Sequence, residues 1–332
     1  MRRWIFWVGL FISVVLLVLA LGGLSLDEVW RDLQQSNPWW IVPGVAVYFV
    51  SVAVRCWRWG YLLRPAKLLS VRALYPIVAI GYMGNNIYPA RIGELLRAYV
   101  LRRRHEVPIA FSLSTVLLER IVDGLVMVGF VLIGLPRVPN LPTQVLNVIG
   151  LLTVALVAAI AVFFALALAP DRVETTAGVL LNALAPKRFR SPLAQFVARF
   201  VQGARALRRP TDLLAIVLST VLIWLIETLK YWFIMHAFGL ETHLDYVDLM
   251  LVNGAANLFT IIPAAPGFVG TFDFAGIGTL TALGVDRASA AAYTLVLHAV
   301  LWLPVTALGA FFMLREGLRW ADLQQAERTV RS

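Results

Sequence analysis

A run of about 20 apolar residues is long enough to cross a lipid bilayer, and in this chain such runs recur from end to end. They fall at roughly 4–24, 38–55, 109–134, 145–169, 211–236 and 288–314, and two further apolar regions, 73–101 and 248–283, are interrupted by helix breakers. Lipid offers the backbone no hydrogen-bond partner, so such a chain is confined to helices, and any non-helical backbone must be buried in protein or line a cavity. Charged residues occupy 14% of the 332 positions, against about 25% in an ordinary soluble domain, which leaves no room for a soluble catalytic domain. The first run, Trp4 to Leu24, follows Met1-Arg2-Arg3; it exceeds the ~7–15 residues of a signal-peptide core and no small-residue cleavage site follows it. It reads as a retained first span. The whole chain, 1–332, reads as one integral membrane domain: an embedded core over 4–315, a basic cytoplasmic connection over 171–210 and a cytoplasmic tail over 316–332.

Basic residues set the orientation of such a chain. Of its 29 Lys and Arg, 24 fall at the N-terminus, near 55–72, 91–104 and 171–210, and in the tail from 315; only Arg31, Arg137 and Arg287 fall on the other side, with Arg120 and Lys230 inside spans. The asymmetry predicts both termini in the cytoplasm. It holds only if region 73–101 leaves and returns to the cytoplasm and region 248–283 does the same from the outer side. The fold expected is therefore all-α and polytopic, with about six full spans plus two broken or re-entrant elements entering from opposite faces. The net charge of +10 is accounted for by this topology, and no nucleic-acid motif accompanies it.

The two interrupted regions resemble each other. Pro89-Ala-Arg-Ile-Gly93-Glu94 and Pro266-Gly267-Phe-Val-Gly270-Thr-Phe-Asp273 share a proline, three residues, a glycine and then a carboxylate, with Asn85-Asn86 before the first and Asn253 and Asn257 before the second. Opposed broken helices in two related halves are where many transporters bind substrate.

Three constellations carry chemistry. Pro89 at a helix start would leave the next turn presenting free backbone N–H groups, an anion-favouring end. Arg91, Glu94 and Arg97 follow at i, i+3 and i+6, two guanidiniums around one carboxylate, a net positive pocket shaped for a phosphate; the bland alternative is a cytoplasmic helix anchored by snorkelling arginines. Glu119, Arg120 and Asp123 lie about ten residues into the 109–134 span, where a charge costs ~2.5–3.5 kcal/mol. Their sum of −1 calls for another cation, for which Arg91 and Arg97 are candidates; a purely structural salt-bridge network is equally compatible. Third, Pro263, Pro266, Gly267 and Gly270 forbid an ordinary span and place Asp273 just inside the following helix; the alternative is a solvated outer loop. Glu227 and Lys230, at i, i+3, read as a structural pair, and His236 and His298 as packing residues. The amphipathic stretch Leu193 to Arg209 fits either a helix in the headgroup plane or an extension of the next span.

Other chemistries are excluded or unsupported. A single cysteine, Cys56, makes neither an internal disulfide nor a thiolate metal site. With no P-loop and no HExxH, neither a cofactor nor a metal is expected, and no catalytic residue is assigned.

The Asn86-x-x-Pro-x-Arg-x-Gly-Glu94-x-x-Arg97 string, the Glu119-Arg-x-x-Asp123 turn and the Pro266-Gly-x-x-Gly-x-x-Asp273 element resemble the lysylphosphatidylglycerol synthase transmembrane-region family over roughly 10–315. That family includes flippase-like proteins, the membrane half of MprF-type proteins and archaeal dolichol-phosphate-glucose-synthetase-like members. Two departures stand out: Phe268 where the family has a second glycine, and Asp273 where it has a glutamate, which shortens the acid's reach. The chain ends eighteen residues after its last apolar run, so the soluble aminoacyl-transferase half of two-part synthases is not expected, nor is synthase activity. The resemblance implies a flippase-like transporter or binder of an anionic phospholipid or polyprenyl phosphate, multi-pass in the cytoplasmic membrane of a bacterium or archaeon. The substrate-binding set would be Asn86, Arg91, Glu94, Arg97, Glu119, Arg120, Asp123 and Asp273. The alternatives are a membrane-embedded lipid-linked glycosyl or aminoacyl transferase, with Glu94 as base, and a non-transporting accessory subunit. A separate synthase or a second copy of the chain is a possible partner.

Overall fold

The computed structural model describes residues 3–88, 91–139, 210–262 and 264–317, with scattered positions between 151 and 198. Pro89, Pro263, most of the expected 145–169 span, most of the 171–210 connection with its amphipathic stretch, and the tail from 318 lie outside the described residues. Those described are helical, with no strand among them. In chain order the helices are α1 (Arg3–Leu21), α2 (Leu26–Gln35), α3 (Ile41–Leu63), α4 (Val71–Ile87), α5 (Ile92–His105), α6 (Ile109–Gly134), α7 (Pro210–Ala237), α8 (Tyr246–Phe259), α9 (Thr271–Ala282) and α10 (Arg287–Arg315). Three segments, Pro38–Leu63, Thr211–Ala237 and Arg287–Arg315, are long and apolar enough to cross a membrane, and α1 joins α2 through an 81° bend.

Local chemistry sets the helix ends. Ser70 accepts from the Ala73 N–H at the start of α4, Asp245 from Val247 and Asp248 at the start of α8, and Asp286 from Ala288 and Ser289 at the start of α10, each relieving a terminal donor that has no partner within its helix. The two interrupted regions become helical hairpins, α4/α5 and α8/α9. In the first, α5 lies so close to α4 that a Cβ on Gly93 would stand 1.9 Å from the Gly81 carbonyl oxygen, and only glycine permits that approach. In the second, Gly267 (φ 71°) and Gly270 (φ 88°) turn the chain between α8 and α9.

Packing between helices repeats itself. α3 packs on α7 at the centre; α4 packs on α10 and α8 on α6; α5 packs on α6 and α9 on α10; α3 packs on α4 and α7 on α8; α6 touches α7 and α10 touches α3. Exchanging α3, α4, α5, α6 for α7, α8, α9, α10 maps this pattern onto itself. Two apolar cores largely follow the halves, one including Trp59, Leu74, Ile80 and Leu101, joined by Leu213 and Val305 from α7 and α10, and the other Tyr231, Leu249, Leu280 and Tyr293. The register differs from the sequence expectation: Glu94 and Asp273 both sit at the third position of α5 and α9, whereas Gly93 lies inside α5 and Gly270 precedes α9. Equivalence therefore follows helix position, not the proline–glycine spacing.

One boundary also differs. The second span was expected to end near 55, but α3 continues to Leu63 with Arg55 and Arg58 buried inside it. Both had been counted with the cytoplasmic connection. Setting aside Arg55, Arg58, Arg91 and Arg97, which the fold draws inward, still leaves 20 basic residues against 3.

Candidate functional site

The two hairpin tips meet. Arg91, at φ 54° just before α5, extends its guanidinium to the opposite tip, where Nη2 donates to the Thr260 carbonyl (3.2 Å) and hydroxyl (3.1 Å) and the group lies 5.4 Å from the Phe268 ring centre. Asn86 at the end of α4 donates to Thr306 Oγ1 (2.8 Å) and the Trp302 carbonyl (3.3 Å), and the Trp302 indole N–H donates back to the Asn86 carbonyl. Between the tips is a cavity of about 140 Å³. Arg55, Arg91, Arg120 and Glu227 supply its charged walls, Asn85, Asn86 and Asn257 its amides, and Tyr82, Trp224 and Trp302 some of its aromatic faces.

Behind that cavity runs one continuous ion-pair network. Arg91 pairs with Glu94 (3.8 Å), Glu94 with Arg120 (2.9 Å) and Arg120 with Asp123 (3.9 Å). Asp123 takes a two-pronged contact from Arg58 (2.6 and 3.2 Å), the Trp224 indole N–H (3.1 Å) and Arg55 at 3.7 Å. One branch continues from Arg58 to Glu119 (3.5 Å) and on to Arg97, whose guanidinium also stacks 3.9 Å from the Trp59 ring. The other runs from Arg55 to Glu227 (3.4 Å), which accepts further hydrogen bonds from Ser51 (2.5 Å) and Lys230 (2.5 Å). Six cations therefore meet four carboxylates, a surplus of two positive charges at a site where Arg58, Glu119 and Asp123 are each 2% exposed or less. Buried charges left without counter-charge cost several kcal/mol each, so this arrangement favours a bound anion.

The expected residues separate by role. Asn86, Arg91 and Arg120 line the cavity, and Glu94 and Asp123 orient those arginines from behind. Arg97 does not share the cavity with Arg91. Arg91 precedes α5 in a left-handed conformation, whereas Arg97 lies within the helix and is taken up by Glu119. It supplies the cation that Glu119 and Asp123 required, but Arg58 and Arg55 supply two more that the sequence reading placed in a loop. Two charges three residues apart at the end of an apolar run were the available signal. Glu227 and Lys230 do pair, yet Glu227 also faces the cavity. Asp273 stands beside His298, 2.7 Å from its Nδ1, so the shorter acid reaches a partner. Pro266, Gly267 and Gly270 form the second tip. Cys56 is fully buried among apolar residues, and His236 stacks on Trp40 and meets Trp232 edge to face. Among the described residues no cluster of His, Cys, Asp and Glu could hold a metal ion.

Curated relatives are similar over most of this chain. A UPF0104 membrane protein of Methanothermobacter thermautotrophicus is 24% identical over 94% of this chain and 93% of its own. The UPF0104 membrane protein PH1989 of Pyrococcus horikoshii is 22% identical over 92% and 95%. The glycosyltransferase AglD of Haloferax volcanii is 27% identical over 88% of this chain, which spans 51% of AglD. No solved structure matches. The model of the lysylphosphatidylglycerol synthase TM region matches residues 6–309, and the chain belongs to that family of helical membrane proteins.

Proposed function

We propose that the chain is a flippase-like transporter that binds the anionic headgroup of a phospholipid or polyprenyl-phosphate carrier in the cavity between its hairpin tips. The observation that carries this reading is the surplus of two positive charges around a polar cavity where two broken elements meet. Arg91 and Arg120 face the phosphate, Arg55 lies opposite beside Trp224 (4.8 Å), and the carboxylates behind them hold the guanidiniums in register. The basic-residue asymmetry supports cytoplasmic termini, hairpins entering from opposite faces, six full spans and a multi-pass position in the cell membrane. The internal two-fold packing is the arrangement expected of two inverted repeats that rock about a shared site.

The test is a proteoliposome assay with fluorescent phosphatidylglycerol and a fluorescent polyprenyl phosphate, comparing wild type with Arg91→Gln and Glu119→Gln. Movement of either lipid by wild type, reduced in Arg91→Gln with folding intact, supports the reading; equal movement by Arg91→Gln, or none by wild type, counts against it. A second reading, a membrane-embedded lipid-linked transferase, is favoured by the similarity to half of AglD. Turnover of a labelled glycosyl donor by the purified chain would shift the assignment to it.

A further inference from the structure

His298, in the middle of α10, joins the cavity wall to the second hairpin. Its Nδ1 lies 2.7 Å from Asp273 Oδ1 and its Nε2 lies 2.8 Å from the Gly267 carbonyl oxygen. Asp273 is 2% exposed, and its Oδ2 accepts the Gly270 N–H (2.9 Å). A carbonyl oxygen only accepts, so Nε2 must carry a hydrogen. An ionised carboxylate also only accepts, so a hydrogen bond at Nδ1 needs a second proton in the pair. That proton sits on the imidazolium, or on Asp273 with a neutral ring. Either way the pair holds one proton more than a neutral imidazole beside a carboxylate. Removing it leaves one of the two contacts with lone pairs facing each other: the ring can keep Asp273 or keep Gly267, not both.

Gly267 is the tip itself. A Cβ there would stand 2.6 Å from Trp302 Nε1, so the turn is seated closely against α10 and His298 is one of its fastenings. The charges around His298 decide when the proton stays. From the elements packed on α10, Asp273 comes from α9, Tyr82 from α4, Tyr48 and Arg55 from α3 and Glu227 from α7; Arg91 and Arg120 complete the cavity wall, and Asp32 of α2 lies toward the Ser289 end. With its extra proton the pair is neutral; without it the pair carries −1 beside a network carrying +2. An empty cavity therefore favours release of the proton, because the bared carboxylate offsets the surplus positive charge. A bound anion takes over that role and favours the proton's return. By reciprocity, protonation strengthens anion binding to the same degree.

We propose that the His298–Asp273 pair couples movement of the anionic headgroup to movement of one proton in the same direction, the two binding and leaving together. The inference rests on the transport reading above. Strict one-to-one coupling fixes the equilibrium: the product of anion and proton activities becomes equal on the two sides, so each pH unit across the membrane concentrates the lipid about tenfold in the leaflet facing the more alkaline side.

The experiment uses the full chain in liposomes containing fluorescent phosphatidylglycerol, a phosphodiester whose charge is constant near neutrality. The membrane potential is clamped by potassium and valinomycin, and a gradient of about one pH unit is imposed in either sense. Leaflet distribution is read by dithionite quenching against protein-free liposomes. The expected result is a ratio moving toward tenfold and reversing with the gradient, and a ratio near one for His298→Gln and Asp273→Asn. The wild-type result decides alone, should either variant fail to fold. Wild type that equilibrates the lipid to an even distribution under both gradients overturns the coupling and leaves the transport reading standing. Wild type that moves no lipid under any gradient removes the transport reading and the coupling with it.

Discussion

Asp123→Asn is the sharpest probe of the network. Asp123 is 1% exposed and receives two bonds from Arg58 and one from Trp224, with Arg55 and Arg120 within 4 Å. Asparagine matches its shape but removes its charge and turns an NH2 toward donors, so at least one of the Arg58 contacts becomes donor against donor. The neighbouring acid cannot compensate, because Glu119, 3.5 Å from Arg58, is already engaged by Arg97. Breaking a buried pair from one side costs about 3–5 kcal/mol, which corresponds to roughly two to nearly four decades in the folding equilibrium. The measurement is reversible unfolding in detergent, titrated with a denaturing surfactant and run beside Arg58→Gln and the double variant. Removing Arg58 as well removes the uncompensated charge, so the double variant should be more stable than the sum of the single losses implies, by about 0.5–3 kcal/mol. A loss under about 1 kcal/mol for Asp123→Asn, the range of solvated pairs, or strict additivity in the cycle, would show that water already reaches these charges and would refute the account of a dry, charge-surplus site.

Arg91→Gln should separate binding from stability. Its pair with Glu94 is long, its side chain is 29% exposed and Glu94 keeps Arg120, so the loss is that of its two hydrogen bonds to Thr260 and unfolding should shift by about 1–3 kcal/mol, less than for the Asp123 pair. Binding of dihexanoyl phosphatidylglycerol should weaken about ten- to a hundredfold, the worth of one charge-assisted hydrogen bond; a calorimetric titration checks both the direction and the size. Gly93→Ala should destabilise the first hairpin by at least ~1–3 kcal/mol, because backbone stands where the methyl must go; unfolding within about 0.5 kcal/mol of wild type would show that α5 can shift away. Topology is checked with single cysteines in a Cys56→Ala background. A thiol at Arg137, beside Asp245 and Asp248, should react with impermeant maleimide from outside intact cells, and one at Arg102 only after lysis.

Much of the fold is legible because lipid leaves so few choices. Apolar runs of spanning length can only be helices, and the breakers at Gly84–Gly93 and Pro263–Gly270 can only be tolerated where protein encloses them. The hairpins and their contact with charge followed from that reasoning. What stayed hidden depended on where helices end and which way side chains point. Arg55 and Arg58 looked like loop residues because an apolar-run criterion stops at the first charge, whereas α3 carries both inward to acids on α6 and α7. Arg97 looks like a partner of Arg91 from its spacing because a sequence does not show that Arg91 turns out of the helix, at φ 54°, before α5 begins. His298 looked like packing because its partners, Asp273 and the Gly267 carbonyl, are supplied by another helix and a tip 25 and 31 residues away, and a single sequence gives no trace of such pairings.

The packing is symmetric between the halves, but the chemistry is not. Counted from their starts, Glu119 and Asp123 of α6 lie at nearly the same depth as His298 and Trp302 of α10. Each half ties the second helix of its hairpin to the helix that follows, Arg97 to Glu119 in the first and Asp273 to His298 in the second. Yet the interlocked arginines and acids belong mainly to α3, α5, α6 and α7, while the second tip offers Phe268 and Gly267, with His298 of α10 beside it. That division has an energetic consequence. Carrying paired charges through lipid is costly, so the charged framework is best left stationary while the lighter element moves. Swinging the second tip away from it breaks two hydrogen bonds from Arg91 to Thr260 and one from His298 to the Gly267 carbonyl, at a net cost of about 0.5–3 kcal/mol for each bond, while α8 stays tied to α7 through Tyr246, Asn253 and Asn257 and to Arg137 through Asp245 and Asp248. Pulling Arg58 from Asp123 breaks a buried pair from one side, about 3–5 kcal/mol for that contact alone, so contact for contact the tip is the cheaper part to move. On the proposed transport reading, the symmetry of packing provides two comparable orientations, and the asymmetry of charge selects which element turns.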